Sequence, residues 1–297
     1  MVSGAAVRGS EMGDRTRSEV VGVLGCGLMG SGIAQVVAQA GYRTVVRELD
    51  QAAVDAGLGR IRSFLDAGVE RGKLSAEDRD ETLERITGTT AWAPFAECDV
   101  VVEAIVEDVA AKQATFAELE PVVHPGTIFC SNPSSVCITE VAAATRRPDK
   151  FIGLHFFSPV PVMPVAEVIR GLSTTDETYQ KIFAFAETLG KRPVTAPDQP
   201  GFIVNRLLIP YLLSAVRAYD SGCGTLEDID AAMTLGCGHP MGPFTLLDFI
   251  GLDTTYYIAN IMFDEFRDPA YAAPPLLKRM VLAGRLGRKT KHGFYRY

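Results

Sequence analysis

His155 and Glu167 lie in the stretch Phe151-Ile-Gly-Leu-His-Phe-Phe-Ser-Pro-Val-Pro-Val-Met-Pro-Val-Ala-Glu-Val-Ile-Arg170, six residues either side of Pro161. Phe151–Phe157 and Val165–Arg170 are short, apolar and β-competent, and Ser158–Pro164 connects them. Seven residues are too few for a parallel crossover, so two strands of one sheet joined this way run antiparallel. With Pro161 as the mirror point, His155 and Glu167 face each other across the ladder, their Cβ atoms roughly 5 Å apart. A carboxylate at that distance can hold the imidazole in one tautomer and stabilise its protonated form, as a general base requires. The same spacing also suits a buried histidine with a purely structural ion-pair partner.

A second constellation is Gly25-Cys26-Gly27-Leu28-Met29-Gly30. It follows the short apolar run Val20–Leu24 and precedes a helical pattern with Ile33, Val36, Val37 and Ala40 on its apolar side. Gly41 stops that helix, and a second strand, Thr44–Val46, leads to Glu48. A G-x-G-x-x-G turn between strand and helix lets backbone approach a pyrophosphate, whose charge the helix N-terminus attracts. Glu48 is placed to accept from a ribose 2′-hydroxyl, which favours NAD. Arg47 beside it is a cation that tolerates a 2′-phosphate and so leaves NADP open.

Other polar candidates gather where strands end. Asp99–Val106 is a nearly continuous apolar run, expected to be a strand that ends at Glu107 and is followed by a helix, Val109–Leu119, carrying Lys112. Ile128–Cys130 runs into Ser131-Asn132-Pro133-Ser134-Ser135. In open α/β sheets ligands bind outside the carboxyl ends of strands, which is where Glu107, Asn132 and Ser134 fall. Turn and cap chemistry would use the same residue types.

The elements that must hold these groups read as follows. Gln51–Glu84 divides into two helices near Gly68–Leu74, with Arg71 and Lys73 on the turn between them. Thr174–Glu177 is a capping-box pattern opening a helix that ends at Gly190, and Lys191–Thr195 is a last short strand. Ala196–Gly201 is rich in turn residues and marks the domain boundary. Beyond it no strand is expected. Phe202–Asp220 is helical with a kink at Pro210, and helices follow at Leu226–Leu235 (capped by Thr225), Phe244–Ile250, Thr254–Phe266 and Leu276–Ala283. The run Leu207–Leu213 is apolar almost all round, so this small helical region should pack on the first domain and on a second copy of itself.

An apolar fraction of 47% with 22% charged residues describes a globular protein, and a net charge of −7 without a Lys/Arg stripe argues against a nucleic-acid partner. No apolar run reaches membrane-spanning length. Residues 1–18 lack a continuous apolar core and read as a disordered extension rather than a signal peptide. The six cysteines have no C-x-x-C spacing and the four histidines lie far apart, which points to reduced thiols, a cytoplasmic location and no metal site.

Together these motifs resemble the L-3-hydroxyacyl-CoA dehydrogenase family, in particular its bacterial 3-hydroxybutyryl-CoA dehydrogenases. The likeness rests on Gly25–Gln35, Val102–Glu107, Gly153–Phe157, Pro200–Arg206, His239–Pro243 and the closing Gly293-Phe-Tyr. It implies an α/β fold: a Rossmann-type N-terminal domain with a predominantly parallel sheet over residues 19–199, and an all-α C-terminal domain over 200–297 that completes the substrate site and dimerises. It also implies an NAD-dependent enzyme acting on acyl-CoA substrates, with His155 as catalytic base and Glu167 as its partner. Ser134 and Asn205 would bind the substrate's 3-oxygen, and Glu48 the adenosine ribose. Glu107, Lys112, Asn132, Ser158 and Lys289 would lie along the cofactor path, with Lys112 also near the CoA side. Ser63, Arg71 and Lys73 would contact CoA. Two departures stand out. Pro133 replaces the threonine of the family's Ser-Asn-Thr-Ser-Ser, removing a hydroxyl and an N–H, and Ser158 replaces the asparagine after His-Phe-Phe.

Overall fold

Val20–Leu24 (β1) is buried at every position, as a strand covered on both faces must be. The computed structural model describes residues 19–297; the expectation for residues 1–18 lies outside the described residues. After β1 come α1 (Leu28–Gln39), β2 (Arg43–Arg47), α2 (Gln51–Glu70), α3 (Ala76–Glu84), β3 (Ile86–Thr89), β4 (Val100–Glu103), α4 (Val109–Leu119), β5 (Ile128–Ser131) and the short α5 (Ile138–Ala142). Then follow β6 (Phe151–Phe156), β7 (Val165–Arg170), α6 (Asp176–Thr188) and β8 (Arg192–Pro197). The remainder is helical: α7 (Val204–Asp220), α8 (Leu226–Ala231), α9 (Pro243–Ile250), α10 (Leu252–Phe266) and α11 (Pro275–Leu282).

The eight strands form one sheet in the order β3-β2-β1-β4-β5-β6-β7-β8. All neighbours are parallel except β6 and β7. The strand order reverses between β1 and β4, which opens the crevice where α/β sheets bind nucleotides. Two apolar clusters cover the faces of the sheet, and a third, built around Leu212, Leu213, Phe244 and Met262, fills the helical region.

Four local expectations change. β3 was not expected. Its Ile-Thr-Gly-Thr sequence is half exposed at the sheet edge and carries neither alternation nor an apolar run. The fourth strand stops at Glu103 rather than Glu107: the last bond to β1 is Ala104 N–H to Leu24 O, and the Glu103 carboxylate then accepts from Ile105 N. Helix α6 is capped by Thr175, not Thr174, whose hydroxyl instead donates to Phe151 O at 2.6 Å. The helix expected over Leu226–Leu235 is regular only to Ala231, and Ala232–Gly236 is a wider π turn.

Helix α2 lies directly on the glycine turn. A Cβ at Gly57 would overlap the Cys26 sulfur, whereas one at Gly59, two residues on, would meet open space. Gly57→Ala is expected to destabilise the chain by about 1–3 kcal/mol through overpacking and to weaken NADH binding. Gly59→Ala should be neutral or stabilising by up to ~1 kcal/mol. Denaturant unfolding and NADH titration of both variants check this; equal behaviour of the two would refute the contact.

Candidate active site

The ladder between β6 and β7 pairs His155 directly with Glu167. His155 Nδ1 lies 2.7 Å from Glu167 Oε2, and both side chains are buried. The other carboxylate oxygen, Oε1, accepts from the backbone N–H groups of Ile203 (3.0 Å) and Val204 (2.9 Å), where α7 begins. Glu167 therefore stands at a helix N-terminus, where unpaired N–H groups and the helix dipole favour an anion. The imidazole is flanked by Phe157 and Phe202, with ring centroids 4.5 and 5.6 Å away. With Nδ1 committed to the carboxylate, Nε2 is the nitrogen left for chemistry.

The same first turn of α7 carries Asn205, whose amide donates to Ser134 O at 3.3 Å. Ser134 sits in the loop after β5. That loop is fastened by Glu107, whose Oε1 accepts from Ser134 N (2.5 Å), Ser134 Oγ (2.9 Å) and Ser135 N (3.0 Å). Asn132 turns inward and accepts from Phe156 N at 2.8 Å, tying the end of β5 to the strand bearing His155. Pro133 has no N–H to give, and the loop's N–H bonds to Glu107 come from the two residues after it.

Lys112 departs from the sequence expectation. Its side chain is 0% exposed, and its ammonium bonds Glu103 at 2.7 Å and lies 3.6 Å from Glu107. Ser131 Oγ donates to the other Glu103 oxygen at 2.5 Å. Lys112 is thus a buried counter-charge beneath the loop rather than a surface contact for a ligand, because the fully buried Glu103 carboxylate needs compensation away from water.

Two cavities flank the loops. One, of 640 Å³, is lined by Gly25, Gly27, Leu28, Met29, Arg47, Glu48, Leu49, Val106 and Thr115, among others. Here Gly25 adopts φ +86°, and a Cβ at Gly30 would overlap Gly25 O, so each position requires glycine. Gly27 faces open space, which leaves room for a pyrophosphate to approach the backbone. Glu48 Oε1 accepts from Cys26 N at 2.5 Å, so the carboxylate is already positioned beside the turn. These features fit a dinucleotide. The second cavity, of 630 Å³, lies between α1, α2 and Pro159–Pro161 and includes Ser63. Arg71 and Lys73 are exposed beyond it at the end of α2, and neither lines it. Ser158 is exposed at the start of the β6–β7 loop, and Lys289 bonds Asp253 at 2.6 Å.

The profile for the NAD binding domain of 3-hydroxyacyl-CoA dehydrogenase matches residues 20–199, and that for its C-terminal domain matches residues 201–297. The chain belongs to the 3-hydroxyacyl-CoA dehydrogenase family. It is 48% identical over 279 residues to a 3-hydroxybutyryl-CoA dehydrogenase of Mycobacterium tuberculosis, covering 93% of this chain and 98% of that one. It is 43% identical to the human mitochondrial hydroxyacyl-coenzyme A dehydrogenase, covering 93% and 90%. The crystal structure of (S)-3-hydroxybutyryl-CoA dehydrogenase from Ralstonia eutropha superposes with a TM-score of 0.91 at 42% identity, covering 95% and 99%. NAD is therefore the dinucleotide that this family's glycine turn serves.

Several groups around this dehydrogenase site gave no sequence signal. Tyr257 on α10 donates to Glu107 O at 2.6 Å, and Arg60 on α2 bonds the carbonyl of Cys26. Lys191 is buried, with its ammonium on Val160 O (2.5 Å) and Met163 O (2.9 Å), so it clamps the loop after His155; burial lowers its pKa. Each contact joins residues far apart in sequence, so nothing in the residues around Arg60, Lys191 or Tyr257 signals its partner. A thiol nucleophile finds no support. Burial pushes Cys26 up to about 11 and Cys98 up to about 12, and it also raises Cys130 and Cys137, which flank the site in sequence, so it disfavours their thiolates. Among the described residues no group of His, Cys, Asp and Glu could hold a metal.

Replacing Lys112 by Met would leave the fully buried Glu103 without its cation and remove the nearest positive charge from Glu107. We expect a loss of about 3–5 kcal/mol of stability, measurable by urea unfolding. A loss below 1 kcal/mol would mean that the ion pair is not what holds the loop.

Proposed function

We propose that this chain interconverts (3S)-3-hydroxyacyl-CoA and 3-oxoacyl-CoA with NAD, preferring short acyl chains such as 3-hydroxybutyryl-CoA and acetoacetyl-CoA, with His155 as general base. The observation that carries the assignment is the buried 2.7 Å contact between His155 Nδ1 and Glu167, which leaves Nε2 to meet the substrate. NAD, when bound, accepts or supplies the hydride at C3. In oxidation His155 Nε2 takes the hydroxyl proton, and Glu167 stabilises the imidazolium that forms. In reduction the imidazolium returns that proton to the 3-oxygen. Ser134 and Asn205 orient that oxygen, which is why Glu107 and Lys112 matter at one remove: they hold the loop that carries Ser134. Glu48 takes the adenosine ribose, and Ser158 and Lys289 lie along the cofactor path. The cavity beside Ser63 takes part of the CoA moiety.

A homodimer through the helical region is the second part of the proposal. Leu207 on α7 is 70% exposed and Leu235 after α8 is 87% exposed, large apolar groups that a second copy would cover. Among the described residues no helix is long and apolar enough to cross a membrane, and with free cysteines throughout this supports a cytoplasmic enzyme.

His155→Ala should lower kcat for acetoacetyl-CoA reduction by at least ~10²-fold while NADH binding, followed by fluorescence titration, stays nearly intact. Glu167→Gln should lower kcat more than it raises the KM for NADH. Wild-type turnover in His155→Ala would refute the base assignment, and initial rates on C4, C6 and C10 3-oxoacyl-CoA give the chain-length preference. Sedimentation equilibrium should return a dimer mass for the wild type and a shift towards monomer for Leu207→Glu. A monomer for the wild type would overturn that part.

A further inference from the structure

Lys191 is a buried cation that has no part in the proton and hydride transfers. Its ammonium meets two carbonyls, Val160 O at 2.5 Å and Met163 O at 2.9 Å. Burial alone lowers its pKa, with no neighbouring charge contributing. A charge taken out of water is costly unless its donors are met, so these carbonyls are what keep the side chain inside. Its backbone is fixed as well. Gly190 ends helix α6 at φ +71°, and Lys191 N donates to Ala186 O at 3.2 Å. The next residue, Arg192, opens β8 and donates from its backbone N–H to Pro164 O at 2.6 Å.

The two carbonyls belong to one tight turn. Val162 N and Met163 N both donate to Pro159 O, at 2.9 and 3.0 Å. Val160 is 2% exposed and packs on helix α1, where a Cβ added to Gly32 would come within 2.9 Å of the Val160 Cβ. Pro159, Val160 and Pro161 line the 630 Å³ cavity that also holds Ser63, and Lys191 does not itself line it. The turn thus rests on α1 and is tied to the start of β8 by Lys191, with the cavity along its flank.

We propose that Lys191 is a positioning residue for the acyl-CoA: by fixing the Pro159–Met163 turn it sets the cavity wall against which the CoA moiety binds. The inference rests on the reading of that cavity as the place of CoA. Because Lys191 acts through the wall, its effect falls on the affinity for acyl-CoA and not on the chemical step. An interaction that serves ground and transition states alike changes KM and leaves kcat. The tie also holds as pH rises, since an ammonium has three donors and the neutral amine still has one for each carbonyl.

The test uses the full-length enzyme, with acetoacetyl-CoA reduction for kinetics and with CoA and NADH titrated separately by calorimetry. Lys191→Met keeps an unbranched side chain and loses the donors. It should raise the KM for acetoacetyl-CoA and the Kd for CoA at least about fivefold, with kcat changed by less than about threefold and the Kd for NADH by less than about twofold. Gly32→Ala reaches the same turn from the other element, because the new methyl group would press on Val160. It should also weaken CoA, and the double variant should lose less than the two single losses combined. An unchanged Kd for CoA in Lys191→Met overturns the proposal, as do a fall in kcat at constant KM and an equal loss of CoA and NADH binding. A Gly32→Ala enzyme that binds CoA as the wild type does would show that the turn is not the wall, and overturns it too. Circular dichroism melting establishes that each variant is folded, and Lys191→Gln serves in place of Lys191→Met if the latter is not. A wild type that binds no CoA would refute the reading beneath the proposal, a result distinct from a wild type that binds CoA and a variant that binds it equally well.

Discussion

The Glu167 carboxylate makes two commitments at once, and much of the architecture depends on both. One oxygen holds the His155 imidazole across the β6–β7 ladder, and the other receives two backbone N–H groups at the start of α7. A buried carboxylate is costly to desolvate unless its lone pairs are met. Here a histidine, two amides and the positive end of a helix meet them. The arrangement couples the strand that bears His155 to the helix that bears Asn205. The helical region is therefore held in register with the sheet by the same group that holds the imidazole.

A second buried network repeats this logic at the neighbouring loop. Lys112 compensates Glu103 and approaches Glu107, and Glu107 fastens the backbone of Ser134 and Ser135. A fully buried ion pair with a partly exposed carboxylate beside it specifies geometry more than it adds net stability. Their effect is to aim a small loop at the space beside His155. Tyr257 reaches the same loop from α10, so both the sheet and the helical region bear on it.

Much of this was legible in the sequence, and the reasons are local. The glycine turn announces itself because only glycine suits φ +86° at Gly25 and the close approach of Gly30 to Gly25 O. The His155–Glu167 pairing was readable because a seven-residue connection admits only an antiparallel ladder, whose mirror symmetry then sets the register. The departures were readable as departures, but their consequences were not. Pro133 proves compatible with the bonds that Glu107 makes to the loop, which depends on a residue elsewhere in the chain.

The sequence by itself determined the αβ alternation, the nucleotide turn, the register of the His–Glu pair and the change to helices after Gly201, because periodicity, glycine placement and loop length act over a few residues. Tertiary structure alone decided that Lys112 is an internal counter-charge, that Lys191 clamps a loop, that Arg47 lies on Trp92 and that Glu167 caps α7. A charged side chain looks the same in sequence whether it faces water or a buried carboxylate. Only the packing of distant segments removes the water, and with it the choice of partner.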